Sequence, residues 1–435
     1  MSETAQRGAT GSAAIKFGLD DRPPALPLLL YGLQWWVVSI PCVIIVGFVV
    51  SRMHYPDYAA QIWYMRKLFA LIGATLTVQL LFGHRLPLII GPASILLVGI
   101  TASQGASVDA VHTAILVGGL VMAAAGFSGV FARLRRFFTP RIIAVVLVLI
   151  AITLAPTILR LAVPASGDPW VSAFSPAFAV MLVFALTITN HLLPGMAKSM
   201  TVLFGLIAGS AVYFAATGFP ELPAALPAGA APAFFITFDF DAGTVLAFLF
   251  CFLALTINEL SSVESIGQLL QADDMGGRLR RATGVTGLAN AVAGGMGVLG
   301  PVDFSMSAGL LSATGCASRY TMLPAGIGLI LCAVFPEFIM LLSTIPDPVM
   351  GALLLYLMAT QMGSGFAMLG NGNGAAGFPG GITVGLPLML GVLVAFAPAS
   401  AFDAFPLLLR PIIGNGFVMG TIAVIALEHG VFRSA

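Results

Sequence analysis

The stretch Gly91-Pro92-Ala93-Ser94 has a counterpart at Gly300-Pro301-Val302-Asp303, 209 residues further along the chain. Both stretches interrupt short apolar segments in a chain that is otherwise almost entirely hydrophobic. Pro and Gly continue a helix poorly, and backbone without helical hydrogen bonds survives at membrane depth only where it packs in protein or lines a cavity. Two such breaks at matching places in two halves are typical of a transporter's substrate site.

The composition is that of a membrane protein. Hydrophobic residues make up 59% of the 435 residues, charged residues make up 9%, and the mean hydropathy is +1.01. Runs of about 20 apolar residues favour helices that cross the bilayer over the shorter alternating strands of a barrel. A net charge of +1 without a basic tail excludes a nucleic-acid partner, and the four cysteines lack metal-type spacing, so no metal site is expected.

Hydrophobicity along the chain predicts an all-α polytopic membrane protein with fourteen transmembrane segments. A cytoplasmic N-terminus places 14 of the 19 Lys and Arg residues inside, so Arg278, Arg280 and Arg281 are interpreted as topology signals. Seven segments per half is an odd number, so the halves form a 7+7 inverted repeat with the breaks in the third segment of each. The predicted segments are 28–50, 66–83, 86–103, 109–132, 141–163, 171–193, 198–217, 243–271, 282–299, 303–316, 320–343, 347–370, 378–398 and 404–430.

Segments 3 and 10 are therefore predicted to be short, broken half-helices. A half-helix that begins at mid-membrane offers free N–H groups and a positive dipole end, which suit carbonyl oxygens or anionic groups of a substrate. Asp303 lies at the second break, where it either caps the half-helix or contributes to a cation site; capping is the simpler interpretation. A packing kink is the alternative for each break alone.

The most polar stretch within any predicted segment is in segment 8. At about 100° per residue, Glu264, Gln268 and Ser261 lie on one helix face, so a carboxyl, an amide and a hydroxyl point into a common cavity. A carboxyl at membrane depth costs several kcal/mol and therefore indicates a function. Glu259 lies about 140° round the helix and is assigned to packing or to another wall. Ion pairing of Glu264 and an interhelical hydrogen bond from Gln268 are the structural alternatives.

The chain lacks the motifs of an enzyme. It contains no GxSxG, no P-loop and no paired-His motif, and its five histidines are scattered near segment ends. No cofactor is indicated. A secondary transporter or a channel is the class that these features favour.

Several motifs resemble those of the nucleobase-ascorbate transporter family, which includes the bacterial uracil permeases. They are Gly18-Leu-Asp-Asp-Arg22-Pro-Pro24 with Gln34, Gly83-His-Arg-Leu-Pro-Leu-Ile-Ile-Gly91, Val263-Glu264-Ser-Ile-Gly267-Gln268, and Ile345-Pro-Asp-Pro348-Val-Met-Gly351. The likeness covers nearly the whole chain, and the segment-8 glutamate motif is its most specific part.

The resemblance implies a core domain that slides against a gate domain in an elevator mechanism, as a homodimer. The core would comprise residues 28–136 and 243–344, and the gate residues 137–218 and 345–435. Residues 1–27 would form a cytoplasmic segment and 219–242 an external linker.

The same resemblance implies a substrate site built from both breaks and from segment 8. Glu264 would grip the base and carry the coupling proton, with Gln268 one turn on, while Ala93 and Ser94 would line one side, Ser305 and Met306 the other, and Gln34 would come from segment 1. Two positions depart from the family pattern. Trp35 follows Gln34 where the family has His, and Met306 stands where a carboxylate or amide is usual, although a one-residue slip would give that role to Ser305, Ser307 or Asp303.

The sequence thus predicts a proton-coupled importer of a nucleobase, such as uracil or xanthine, in the lipid bilayer of a bacterial inner membrane. The alternative is an anion exchanger or anion channel of the sulfate or bicarbonate type, which resembles the same fold. A fixed carboxyl beside the site would repel anions and therefore favours the nucleobase. A membrane-embedded enzyme is the third and weakest class.

Overall fold

The computed structural model describes most of the chain. The described residues are 16–103, 105–130, 139–164, 167–194, 197–198, 200–220, 233–304, 307, 311, 314–370, 377–402, 404–406 and 409–432.

The described residues form a bundle of helices with two short strands. Six helices belong to the first half: α1 (Ala25–His54), α2 (Tyr58–Leu81), α3 (Ser94–Ala102), α4 (Val108–Ser128), α5 (Pro140–Thr153) and α6 (Ala155–Ala162). Two more precede the linker: α7 (Pro169–Leu192) and α8 (Thr201–Thr217). The second half contains α9 (Ala242–Leu269), α10 (Met275–Gly295), α11 (Leu323–Val334), α12 (Pro336–Ser343), α13 (Asp347–Gly370), α14 (Gly377–Ala395), α15 (Arg410–Ile413) and α16 (Gly416–Ala426). The strands are β1 (Ile89–Pro92) and β2 (Pro301–Phe304).

Several predicted segments are bent or divided in the structure. Within the described part of the chain, seven helices are long and apolar enough to cross a membrane, or eight if the bent pair α11 and α12 counts as one span. That pair turns by 88° at Phe335, because Pro336 has no N–H to continue the helix. Segment 9 was predicted to begin at 282, but α10 begins at Met275 because the side chain of Asp274 caps it. The number fourteen stays a prediction.

The two breaks of the sequence meet each other at the centre of the bundle. β1 and β2 pair antiparallel, with Pro92 opposite Pro301 and Gly91 opposite Val302. The backbone N–H of Ala93 also donates to the carbonyl oxygen of Gly300, at 2.9 Å. Pairing therefore satisfies backbone groups that the broken helices leave free, which is what membrane depth requires.

The helices associate in two groups. In the first group, α4 packs along α10 and beside α9, while α2 packs against α1 and α11. In the second group, α5 contacts α13, α14 and α16, and α13 also contacts α6, α7 and α8. The strand pair lies within the first group, where β1 contacts α1 and α2 and β2 contacts α9 and α10. The division into core and gate domains at the boundaries given above stays a prediction.

Candidate substrate site

The strand pair is the base of the candidate site. Ser307 joins both strands, because its hydroxyl accepts from the N–H of Ile89 and donates to the carbonyl oxygen of Phe304, each at 2.8 Å. This buried hydroxyl therefore links the ends of the two strands. Sequence analysis predicts Ser307 as a possible second polar wall, and that role stays a prediction.

Beyond β1, the chain enters the half-helix α3. Ala93 is completely buried at the N-cap position of α3, and Ser94 is half-buried as its first residue. α3 is nine residues long, as expected of a broken segment. Its first turn presents backbone N–H groups and the Ser94 hydroxyl, the groups that the sequence assigned to substrate contact.

α9 carries the polar face that sequence analysis predicts as a wall of the site. It is continuous from Ala242 to Leu269, so the residues of the segment-8 motif keep their predicted helical spacing. Glu264 is half-buried, whereas Ser261, Ser265 and Gln268 are exposed. A stripe of hydroxyl, carboxyl and amide groups is unfavourable against lipid, so this open face fits an aqueous pathway better than the hydrocarbon.

Of three further predicted contributors, the structure describes one. Gln34 lies on α1, which contacts both β1 and α3; the side-chain nitrogen of Gln34 is buried without a hydrogen-bond partner within the described part of the chain. Such a donor is available to a ligand. Ser305 and Met306 lie outside the described residues, so their roles and the departure at Met306 stay predictions.

Behind the strand pair lies a fully buried polar cluster that sequence analysis did not assemble. Glu259 accepts from the Thr286 hydroxyl at 2.6 Å and from the backbone N–H of Asp303 at 3.0 Å. Gln79 donates in turn to the Thr286 hydroxyl at 2.8 Å. The sequence assigned Glu259 to packing or another wall. The only sequence signal for the cluster was a pair of carboxyl residues in two predicted segments.

Asp303 points into this cluster. Its carboxyl interacts with the carboxyl of Glu259, and one of its oxygens lies 3.3 Å from Nε2 of His84. The half-helix that Asp303 was predicted to cap lies largely outside the described residues, so capping stays a prediction.

A separate cavity of about 560 Å³ lies at the other end of α9. It is lined from both helix groups, and Arg160, Arg410 and Thr244 are among its walls. Thr244 precedes Glu264 by 20 residues, which is about 30 Å along a helix. The cavity is therefore distinct from the Glu264 site, and it lies at the end that the predicted topology places outside the cell.

A helical membrane protein with two paired breaks of this kind is, by class, a transporter. The sequence profile described as Permease family matches residues 26–400. The chain belongs to this family, the nucleobase-ascorbate transporters, and is a transporter and not an enzyme. Among relatives, Uric acid permease PucK of Bacillus subtilis (strain 168) is 26% identical and covers 94% of this chain and 96% of its own. Xanthine permease of the same organism is 24% identical, and the match covers 81% of this chain and 82% of that permease.

Solved structures share the fold. The transmembrane domain of the cyanobacterium bicarbonate transporter BicA has a TM-score of 0.57 at 17% identity, covering 85% of this chain and 95% of its own. The murine Slc26a9 anion transporter in the inward-facing state has a TM-score of 0.55 at 13% identity, covering 92% and 68%. These likenesses confirm the polytopic helical fold with inverted halves. At such identities they show the fold alone.

Proposed function

We propose that this chain imports a nucleobase together with a proton across the inner membrane, and that Glu264 binds the base. The observation that carries the proposal is the half-buried Glu264 on an open polar face of α9, in a chain of this permease family. Relatives named for uric acid and xanthine support an oxopurine as the substrate, with uracil as the pyrimidine to compare.

The chemistry of a nucleobase fits the groups of the site. A carboxyl can pair with a ring N–H and, when protonated, donate to a neighbouring carbonyl oxygen, while amides such as Gln268 and Gln34 supply further donors and acceptors. Protonation of Glu264 together with base binding would neutralise the site before it crosses the membrane interior, where a bare carboxylate is costly. Sliding of one helix group against the other would then expose the site to the opposite side.

The first test compares two carboxyl variants in proteoliposomes with an inward proton gradient. Glu264→Gln is expected to lower uptake of labelled xanthine, urate or uracil at least 100-fold, because the amide cannot exchange a proton and presents a different donor pattern to the base. Glu337 is an exposed residue of α12, so Glu337→Gln is the matched control and is expected to transport like the unaltered protein. Proton-driven uptake by the Glu264→Gln protein at the normal rate would refute the assignment.

The anion-transporter alternative enters the same assay as a second set of substrates. Labelled sulfate and bicarbonate are expected to give no uptake above empty liposomes, since a carboxylate beside the site repels anions. Uptake of either anion, with none of any base, would favour the alternative over the proposal.

A further inference from the structure

The hydrogen bonds within the buried cluster converge on the carboxyl of Glu259. The amide of Gln79 donates to Thr286, Thr286 donates to one carboxyl oxygen of Glu259, and the N–H of Asp303 donates to the other. Both oxygens of Glu259 thus accept, and a protonated carboxyl retains this acceptor capacity while its O–H donates elsewhere. The carboxyl of Asp303 is completely buried and lies within hydrogen-bonding reach of the Glu259 carboxyl.

A second carboxylate beside the first is unfavourable there. Burial removes the hydration of both groups, and like charges at close range cannot both remain ionised without a compensating cation. The geometry is therefore that of two carboxyl groups that hold one proton between them.

The groups that face the pair do not supply a cation. The N–H of Leu86 donates to Nδ1 of His84 at 2.9 Å, so the single ring proton of a neutral imidazole lies on Nε2, which faces Asp303. Among elements packed on β2, β1 carries no titratable residue, α9 brings Glu259, and α10 brings uncharged Thr286 and Asn290. Arg278, at the start of α10, donates instead to the carbonyl oxygens of His84 and Arg85.

We propose that Asp303 and Glu259 hold one exchangeable proton between them, and that this proton keeps the strand pair on α9 and thereby sets the alkaline limit of transport. The inference rests on the proposed function. When the proton leaves, the two carboxylates repel, and the bond from the Asp303 N–H to Glu259 links the very elements that are pushed apart. Nε2–H of His84 then lies where it can donate a hydrogen bond to the Asp303 carboxylate. Displacement of β2 would also move β1, and with it Ala93 and Ser94.

The test uses base exchange across proteoliposomes at equal pH on both sides, so that no gradient drives transport. Exchange is measured between pH 5.5 and 9. Above its alkaline limit, the exchange rate of the unaltered protein is expected to fall by up to about ten-fold per pH unit, because a single proton is lost. Asp303→Asn mimics the protonated acid and cannot ionise, so its exchange is expected to stay level at alkaline pH. Glu337→Gln is the control and should follow the unaltered protein.

A second variant keeps the test decisive if Asp303→Asn does not fold. In His84→Asn, the side-chain oxygen of Asn replaces Nδ1 of His84 as the acceptor for the N–H of Leu86. The Nε2–H group that faces Asp303 is lost. The ionised form of Asp303 is then less stabilised, so the alkaline limit is expected to move to higher pH.

Three results would overturn the inference. The alkaline limit could be the same in Asp303→Asn as in the unaltered protein, or it could stay the same or fall to lower pH in His84→Asn. The third result is that the unaltered protein shows no alkaline limit. Alkaline exchange that requires Na⁺ would also overturn it, because the pair would then hold a metal cation. Absence of base exchange at every pH in the unaltered protein would contradict the proposed function itself, so the two failures are distinguishable.

Discussion

At the scale of single residues, Arg278 shows that a basic residue at a helix end can do more than set topology. It is 7% exposed, and its guanidinium donates to the carbonyl oxygens of His84 at 2.9 Å and Arg85 at 3.2 Å, and to the carboxyl of Asp273 at 2.7 Å. The planar guanidinium thereby stabilises the connection between α2 and β1, which contains His84. Interpretation as a topology signal accounts for its charge but not for its burial.

Asp273, the ion-pair partner of Arg278, is exposed, and Arg278 changes its pKa. The hydrogen bond and charge of Arg278 lower the pKa of Asp273 below its ordinary value. A lowered pKa in the folded protein means that the stabilising contribution is present above the unfolded-state pKa and is lost as pH falls through the folded-state pKa. The bridge therefore persists at neutral pH and weakens only in acid.

Arg278→Lys is expected to lower stability although it preserves the charge. The ammonium group of Lys cannot donate to two carbonyl oxygens and a carboxylate with the geometry of the planar guanidinium. Buried acceptors are therefore left unpaired, which lowers the free energy of unfolding by about 1–3 kcal/mol. The measurement is the apparent melting temperature in detergent. Arg280→Lys, two residues away and exposed, is the matched control. Equal melting temperatures for the two variants would show that the fork contributes nothing.

At the scale of elements, the contact between α4 and α10 is a seam of glycines. A Cβ placed on Gly119 would lie 2.3 Å from the backbone nitrogen of Ala291, and one on Gly287 would lie 2.3 Å from that of Ala123. Backbone cannot yield as a flexible side chain can. Small residues let the two helices approach closely, which is how helices associate where lipid provides no hydrophobic drive.

Gly287→Ala should therefore separate α4 from α10 and lower stability by about 2 kcal/mol through overpacking. Gly276, in the first turn of the same helix, has open space around it, so Gly276→Ala is expected to be neutral or stabilising by up to about 1 kcal/mol. Thermal unfolding of both variants in detergent tests the difference. A Gly287→Ala protein as stable as the Gly276→Ala protein would be incompatible with a close-packed seam.

The sequence predicted the elements better than their contacts. Hydrophobic run length and the two Gly-Pro breaks were enough for the polytopic helical fold and its paired halves, because both follow from local composition. They could not reveal that the breaks pair as strands, since the register between Ile90 and Asp303 depends on residues 213 positions apart. For the same reason, Glu259, Asp303 and His84 were read separately, as a packing residue, a cap and a scattered histidine.

At the scale of the whole molecule, the two helix groups are joined by few polar contacts that the structure describes. Arg52 at the end of α1, in the first group, forms an ion pair with Asp347 at the start of α13, in the second group. The side chains of Arg52 and Asp347 are 28% and 40% exposed, so the pair is weak and can be broken cheaply. A contact of this kind would suit the sliding of the groups proposed above, in which they separate and rejoin in each transport cycle.

Cross-linking across this contact should therefore stop transport. The double variant Arg52→Cys, Asp347→Cys, treated with a short bifunctional thiol reagent, is expected to lose at least nine-tenths of its base uptake and to recover it on reduction. The matched control is Ser107→Cys, Asp239→Cys, a contact between the start of α4 and the segment before α9, where cross-linking should leave uptake unchanged. The four natural cysteines are all buried and should not compete for the reagent. Full uptake by the cross-linked first variant would mean that substrate crosses without relative movement of α1 and α13, and sliding of the groups would then have to be abandoned.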